Sequence, residues 1–313
     1  MKKRLKEIAP LLAAIVVLML IFRTQVRDFL NTDNLLDLTQ QISINAILAF
    51  GMTLVILTGG IDLSVGALVA VVGTTTAYFL TTGATCLGLL LALPAGIAVA
   101  VIFGLVNGTC AAKTKMPPFI ITLATMLIAR GAALRFNQGR PMSIPDSHTL
   151  FLALGNGRLF GKVPVPVLIM LVVFVAMTVL LHRTRFGLHL YAVGGNREAA
   201  RFTGINVARI DISVYVICSI LAAIAGLIHA SQLYSGEPAS GSMFELSAIA
   251  AAIIGGTSFT GGRGTMYGTL LGAVIIGILG KGLNQSGIHH SIQHIAKGLV
   301  ILVAVYIDCR RSK

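Results

Sequence analysis

In the stretch Gly51–Gly66, GMTLVILTGGIDLSVG, a carboxylate and a hydroxyl interrupt residues otherwise suited to lipid. The apolar run Met52–Leu57 stops at Gly59-Gly60, Asp62 and Ser64 follow, and Val65–Val72 is apolar again. A helix in hydrocarbon must satisfy its own backbone groups. A Gly-rich break with polar side chains therefore belongs inside protein or beside water. Two roles fit Asp62. One is a cap on the helix that starts near Val65, with Ser64 close behind. The other is a hydrogen-bonding or proton-relay group near a pathway. A cap at a helix break can still face a cavity, so the two are compatible.

Other polar constellations are weaker. Gly280-Lys281-Gly282 lacks the upstream Gly and the Ser/Thr that a phosphate-cradling loop needs, so the chain has no ATP site of that type. His289, His290 and His294 invite a metal reading, but no carboxylate or Cys stands near, and an external polar loop fits better. Cys86, Cys110, Cys218 and Cys309 sit in or beside apolar segments with no C-x-x-C pair, and read as small packing residues. Gly264, Gly268 and Gly272 form GxxxGxxxG, which lets two helices approach closely; Thr257, Ser258 and Thr260 beside them are candidates for a polar path. Arg130, Asn107, Asn137, Glu237, Glu245, Asn284 and Lys297 lie in or at the edges of apolar segments, without a spacing that says which of them line a path. No cofactor is implied.

The stretch YAVGGNREAARFTGINVARI (Tyr191–Ile210) carries a second kind of signal. Asn196 suits the cap of a helix beginning at Arg197, and Gly204 suits its end. The result is a short surface helix presenting Arg197, Glu198 and Arg201. It reads either as a docking helix or as a solvated loop whose charge sets topology.

The elements that must hold these groups are long apolar helices. The chain is 56% apolar and only 11% charged, with a mean hydropathy of +0.88; soluble domains carry roughly 25% charged residues. Ten segments are expected: Ile8–Phe22, Ile42–Leu57, Val65–Leu80, Leu87–Cys110, Phe119–Phe136, Val163–Leu181, Ile212–Ala230, Leu246–Gly255, Met266–Leu279 and Ile295–Ile307. The eighth is too short to span alone. The fold class is thus an all-α polytopic membrane protein, one transmembrane domain over 1–313, with some helices broken. Met1–Glu7 and Ile8–Phe22 resemble a signal peptide but lack a small-residue cleavage site, so a retained first helix is expected.

Ten spans place both termini on one side. Both ends are basic (Lys2, Lys3, Arg4, Lys6; Arg310, Arg311, Lys313), which puts them in the cytoplasm. Lys113, Lys115, Arg183, Arg185, Arg197, Arg201, Arg209 and Arg263 then fall inside, against Arg23, Arg27, Arg140, Arg158, Lys162 and Lys281 outside. The net charge of +13 is accounted for by this topology. With no Trp and no aromatic-basic interleaving, nucleic-acid binding is excluded. The outer loop Asn137–Lys162 is expected to form a cap, and 182–211 an inner loop. Leu57–Gly73 and Ile254–Gly277 share a pattern: apolar run, Gly-Gly, polar residues, Gly, apolar run. Such paired interruptions mark a repeat of two halves in duplicated transporters.

Three of these stretches, Ser43–Gly73, Tyr191–Ile210 and Glu245–Gly277, resemble in register the permease subunits of bacterial monosaccharide ABC importers, the ribose-type family. The resemblance runs from about Asn31 to the C-terminus. It implies an inner-membrane protein that pairs with a second copy of itself to form a path. It also implies a separate ATPase subunit on the cytoplasmic face and a periplasmic sugar-binding protein that delivers the monosaccharide. Asn196, Arg197, Glu198, Ala199, Ala200 and Gly204 would form the element that couples to the ATPase. The match covers Glu198-Ala199-Ala200 and Gly204 of the general permease pattern, and the Ile-x-Leu-Pro ending is absent. Relatives carrying other pentoses, hexoses or autoinducer-2 share these motifs. A branched-chain amino acid permease is the nearest alternative, and an ion-coupled transporter using Asp62 is a rival of another class.

Overall fold

A computed structural model describes the backbone of residues 2–82 and 85–311, and side chains for residues 8–82, 88–306, 308 and 310. Lys2, Lys3, Arg4, Lys6, Arg311 and Lys313, and the thiols of Cys86 and Cys309, lie outside the described side chains. Five helices come first: α1 (Lys2–Gln25), α2 (Thr32–Leu57), α3 (Val65–Thr82), α4 (Thr85–Lys113) and α5 (Pro118–Arg135). A cap follows, with β1 (Met142–Ser143), α6 (Thr149–Asn156), β2 (Arg158–Leu159) and β3 (Val163–Pro164). Then come α7 (Val165–Arg183), α8 (Arg185–Gly195), α9 (Arg197–Phe202) and α10 (Val207–Gln232). The chain closes with β4 (Ser235–Gly236), α11 (Phe244–Ile254), α12 (Met266–Gln285) and α13 (His290–Arg311).

Among the described residues, α1, α2, α3, α4, α5, α7, α10 and α12 are long and apolar enough to cross a membrane, and α11 and α13 are shorter apolar helices. Together they make ten crossing segments. The helices divide by what they face. α2 and α3 are largely buried, whereas α1, α4 and α7 turn Val16, Leu90, Ile102 and Val172 outward. Large apolar side chains on the outward faces suit contact with lipid, while Phe50, Met52, Leu54 and Leu68 fill the interior between the helices. α10 packs on α4, α2 and α3, and α11 and α12 pack on each other and on α2.

The 11 residues of α11 cover only about 16 Å, half a bilayer core. The rest of that crossing is irregular chain, Glu237–Met243. Gly236, the residue just before it, packs against Gly73, Thr74 and Ala77, and Gly241 packs against Gly66 and Val69. The segment therefore descends beside the membrane-spanning α3.

The loop expected as a cap is ordered. β1 pairs with β4 antiparallel, Met142 opposite Gly236, and β2 pairs with β3, Arg158 opposite Pro164. Ser231 of α10 ties α6 down: its hydroxyl contacts the carbonyls of Phe151 and Leu152 at 2.9 Å and accepts the Gly155 N–H at 2.8 Å.

Candidate functional site

The chain turns back on itself after α2. Gly59 N–H donates to Ile56 O at 2.8 Å and Gly60 N–H to Val55 O at 3.1 Å, with Gly59 at φ +78°, a region that suits glycine. Asp62 is fully buried. Its Oδ1 accepts the Ser64 N–H at 2.9 Å and the Ser64 hydroxyl at 2.6 Å. The Ser64 carbonyl accepts the first helical bond of α3, from Leu68 N–H at 2.9 Å. Ser64 thus holds the cap position, and Asp62 shapes the turn ahead of it. The Asn107 side-chain amide donates to the Ser64 hydroxyl at 3.0 Å, and Thr125 donates to Asn107 at 2.7 Å. One polar chain thereby pins the break to α4 and α5. Among the described residues, Asp62 Oδ2 and the Tyr215 hydroxyl, which points at Gly60, have no hydrogen-bond partner, and Asp62 makes no ion pair.

The second break joins α11 to α12. Ser258 N–H donates to Arg263 O at 2.8 Å, closing a tight loop. Thr265 caps α12 by accepting the Gly268 N–H at 3.1 Å. A Cβ on Gly268 would collide with the Gly255 carbonyl, and one on Gly272 with the Ala251 carbonyl, so these two glycines set the approach of α12 to α11. Gly264 sits in the turn before α12, against Thr257. Thr53 of α2 and Thr269 of α12 share a buried hydrogen bond of 2.7 Å.

α8 and α9 lie on the face where both breaks emerge. Asn196 caps α9 by accepting the Ala199 N–H at 3.0 Å. Gly204, at φ +85°, ends it, with Ile205 N–H donating to Ala200 O at 3.1 Å. Glu198, Ala199, Arg201 and Phe202 face outward, and Ala200 packs inward. Arg197 does not stand free. It forks onto Asp211 of α10 at 2.9 and 2.7 Å and donates to the Thr58 carbonyl at 3.2 Å. The Tyr191 hydroxyl donates to the Gly264 carbonyl at 2.7 Å; burial pushes its pKa up to about 12, so it stays a donor. Gly262 N–H donates to Leu57 O at 3.0 Å, binding one break to the other, with Gly194 of α8 wedged against both. The surface segment is therefore bonded to each broken helix pair.

Sequence reasoning missed Thr58, Tyr191, Gly262 and Asp211, because a backbone carbonyl or lone side chain far along the chain leaves no local pattern. Asp211 is the last residue of 182–211, which reads as an inner loop. Of the scattered polar residues, Asn107 joins the Asp62 chain, while Arg130, Glu237 and Glu245 come together beside α3. Lys297 and His294 line a small cleft with Met243 and Ile276. The His290 and His294 rings meet edge-on at 4.3 Å, and no group of three metal-ligating side chains occurs among the described residues.

Ten crossing segments with two broken pairs, tied to a surface helix segment, define a transport permease. The chain belongs to the family described as branched-chain amino acid transport system / permease component, which matches residues 34–305. It is 44% identical over 303 residues to the ribose import permease protein of Escherichia coli K12, covering 96% of this chain and 93% of that one. The Bacillus subtilis 168 ribose import permease protein is also 44% identical, over 285 residues, 91% of this chain and 87% of that one. The Escherichia coli K12 xylose transport system permease protein is 33% identical, covering 96% and 91%. A solved structure described as a metal-chelate type ABC transporter in an inward-facing conformation shares the fold. Its TM-score is 0.54 at 13% identity, covering 96% of this chain and 98% of that chain.

Proposed function

We propose that this chain is the permease subunit of an ATP-driven importer for a monosaccharide, ribose first, in the bacterial inner membrane. The observation that carries this is the 44% identity to ribose import permeases across nearly the whole of both chains. The family's broad description names branched-chain amino acids, so those solutes are the second reading.

Two copies form the path between them. The face bearing α8 and α9 is cytoplasmic, with both termini, and a separate ATPase subunit docks there against Glu198, Arg201 and Phe202. A periplasmic sugar-binding protein docks on the cap and hands over the solute. ATP binding closes the ATPase pair and moves α8–α9. Arg197 and Tyr191 pass that movement to the two breaks, and the path alternates its opening. The chain itself hydrolyses nothing, and selectivity rests largely with the binding protein.

The test is reconstitution of the chain with its ATPase and binding protein in liposomes. Ribose uptake is expected to require ATP, with leucine not taken up. Uptake that continues unchanged without ATP would refute the importer reading, and leucine in place of ribose would establish the second.

A further inference from the structure

We infer that the irregular segment Glu237–Met243, with Glu245 in the first turn of α11 and Arg130 of α5, is the solute-contacting wall of the translocation path, built for an uncharged polyhydroxylated molecule. This rests on the importer reading and assigns it a surface. Irregular backbone at membrane depth is tolerated only when buried in protein or lining water. This segment runs beside α3 from the level of Ala77 to that of Gly66. It is not fully buried: Ala239 and Ser242 are exposed, and Glu237, Ser240 and Glu245 are partly so.

The segment is held in shape from below. One Arg130 amino group of α5 donates to the Pro238 carbonyl at 2.6 Å and the Ser240 carbonyl at 2.7 Å. Glu237 accepts the Ala239 N–H at 3.1 Å, and the Ser242 hydroxyl donates to Ala239 O at 3.0 Å. A guanidinium in the interior of a spanning helix is expensive to bury, and here it organises carbonyls that no helix satisfies. One and two turns before it on the same helix face, α5 presents Leu127 and Leu123 to the outside. Two carboxylates, one cation, serine hydroxyls and peptide groups next to an aliphatic wall match a sugar's two surfaces: hydroxyls on its edge and C–H groups on its face. A lipid-facing surface would carry no such polar set.

Thiol labelling tests this in the assembled transporter in native membranes. Ser242→Cys and, independently, Ala239→Cys are treated with a membrane-impermeant thiosulfonate, with the wild-type chain as background and Val172→Cys as lipid-facing control. A thiol in water ionises and reacts, whereas one in lipid does not. Labelling at 242 or 239 is expected at least about tenfold faster than at 172, and slowed by ribose with the binding protein and ATP. Rates equal to those at Val172→Cys at both positions overturn the inference, whether lipid or a closed interface between copies covers the face. So does fast labelling that neither ribose slows nor impairs ATP-driven uptake. Each of these results leaves the importer reading intact when the wild-type transporter takes up ribose with ATP. If the wild-type transporter takes up leucine instead, or ribose without ATP, the reading itself has failed.

Discussion

The Arg197–Asp211 pair is lopsided, and that lopsidedness makes a sharp prediction. The Asp211 side chain is 4% exposed and that of Arg197 47%. Removing Arg197 strands a buried carboxylate; removing the charge on Asp211 releases an arginine that can turn to water. Breaking a fully buried pair costs about 3–5 kcal/mol, and an exposed pair contributes about 1 kcal/mol or less. With one partner half in solvent, Arg197→Ala should cost about 2–3 kcal/mol, and Asp211→Asn about 1 kcal/mol. At roughly 2 °C per kcal/mol for a chain of this size, thermal unfolding of the purified chain in detergent should fall by about 4–6 °C for Arg197→Ala. For Asp211→Asn the fall should be about 2 °C. The double variant should be more stable than Arg197→Ala alone, because the stranded charge is gone. Arg197→Lys should lie between, since a lysine makes a point contact where the guanidinium makes a fork. Simple additivity of the two single changes would refute the coupling. An Arg197→Ala unfolding temperature equal to wild type would refute the pair's role in holding α9 to α10.

Asp62→Ala should leave the Ser64 N–H and hydroxyl without their buried acceptor and lower folded yield, whereas Asp62→Asn keeps an acceptor oxygen and should be much milder; size-exclusion profiles of the two proteins compare them. Gly268→Ala and Gly272→Ala should each sharply reduce folded protein in membranes, because the added methyl meets the carbonyl of Gly255, just past α11, or of Ala251 within it, while Gly131→Ala, with open space around it, should change unfolding by less than about 0.5 kcal/mol. Phe202, 91% exposed on α9, should act as an anchor for the ATPase: Phe202→Ala should weaken co-purification of that subunit by tenfold or more (about 1.4 kcal/mol) without moving the thermal midpoint of the isolated chain.

The ten crossings were legible because lipid imposes one rule on every span: a long apolar run. The short eighth run could be seen to fall short, since length alone decides that. How the shortfall is made good could not be read. Glu237–Met243 looks like any polar loop, and its descent beside α3 depends on Gly66, Gly73, Gly236 and Gly241 being small in the right places across the chain. The cap on α3 shows another limit. Asp62 and Ser64 are both cap-forming residues two positions apart, and only the Leu68–Ser64 bond distinguishes their roles. Asn196 and Gly204 offered no such ambiguity, because each is the single suitable residue at its end of α9.

The pattern shared by the two Gly-interrupted stretches takes on physical meaning where they meet. Each break leaves carbonyls outside helical pairing: Leu57 and Thr58 at the end of α2, and Gly264 in the turn before α12. A carbonyl shielded from water needs a donor. Leu57 receives Gly262 of the other break, Thr58 receives Arg197, and Gly264 receives Tyr191. Two of the three donors come from the surface segment and one from the opposite break. The breaks are therefore complete only while α8–α9 is seated on them and they are seated on each other. A displacement of α8–α9 must either carry the breaks along or leave carbonyls unpaired, and the second is the costlier course. That is a physical reason for a transporter to place its two broken helices side by side under the segment that a partner would move.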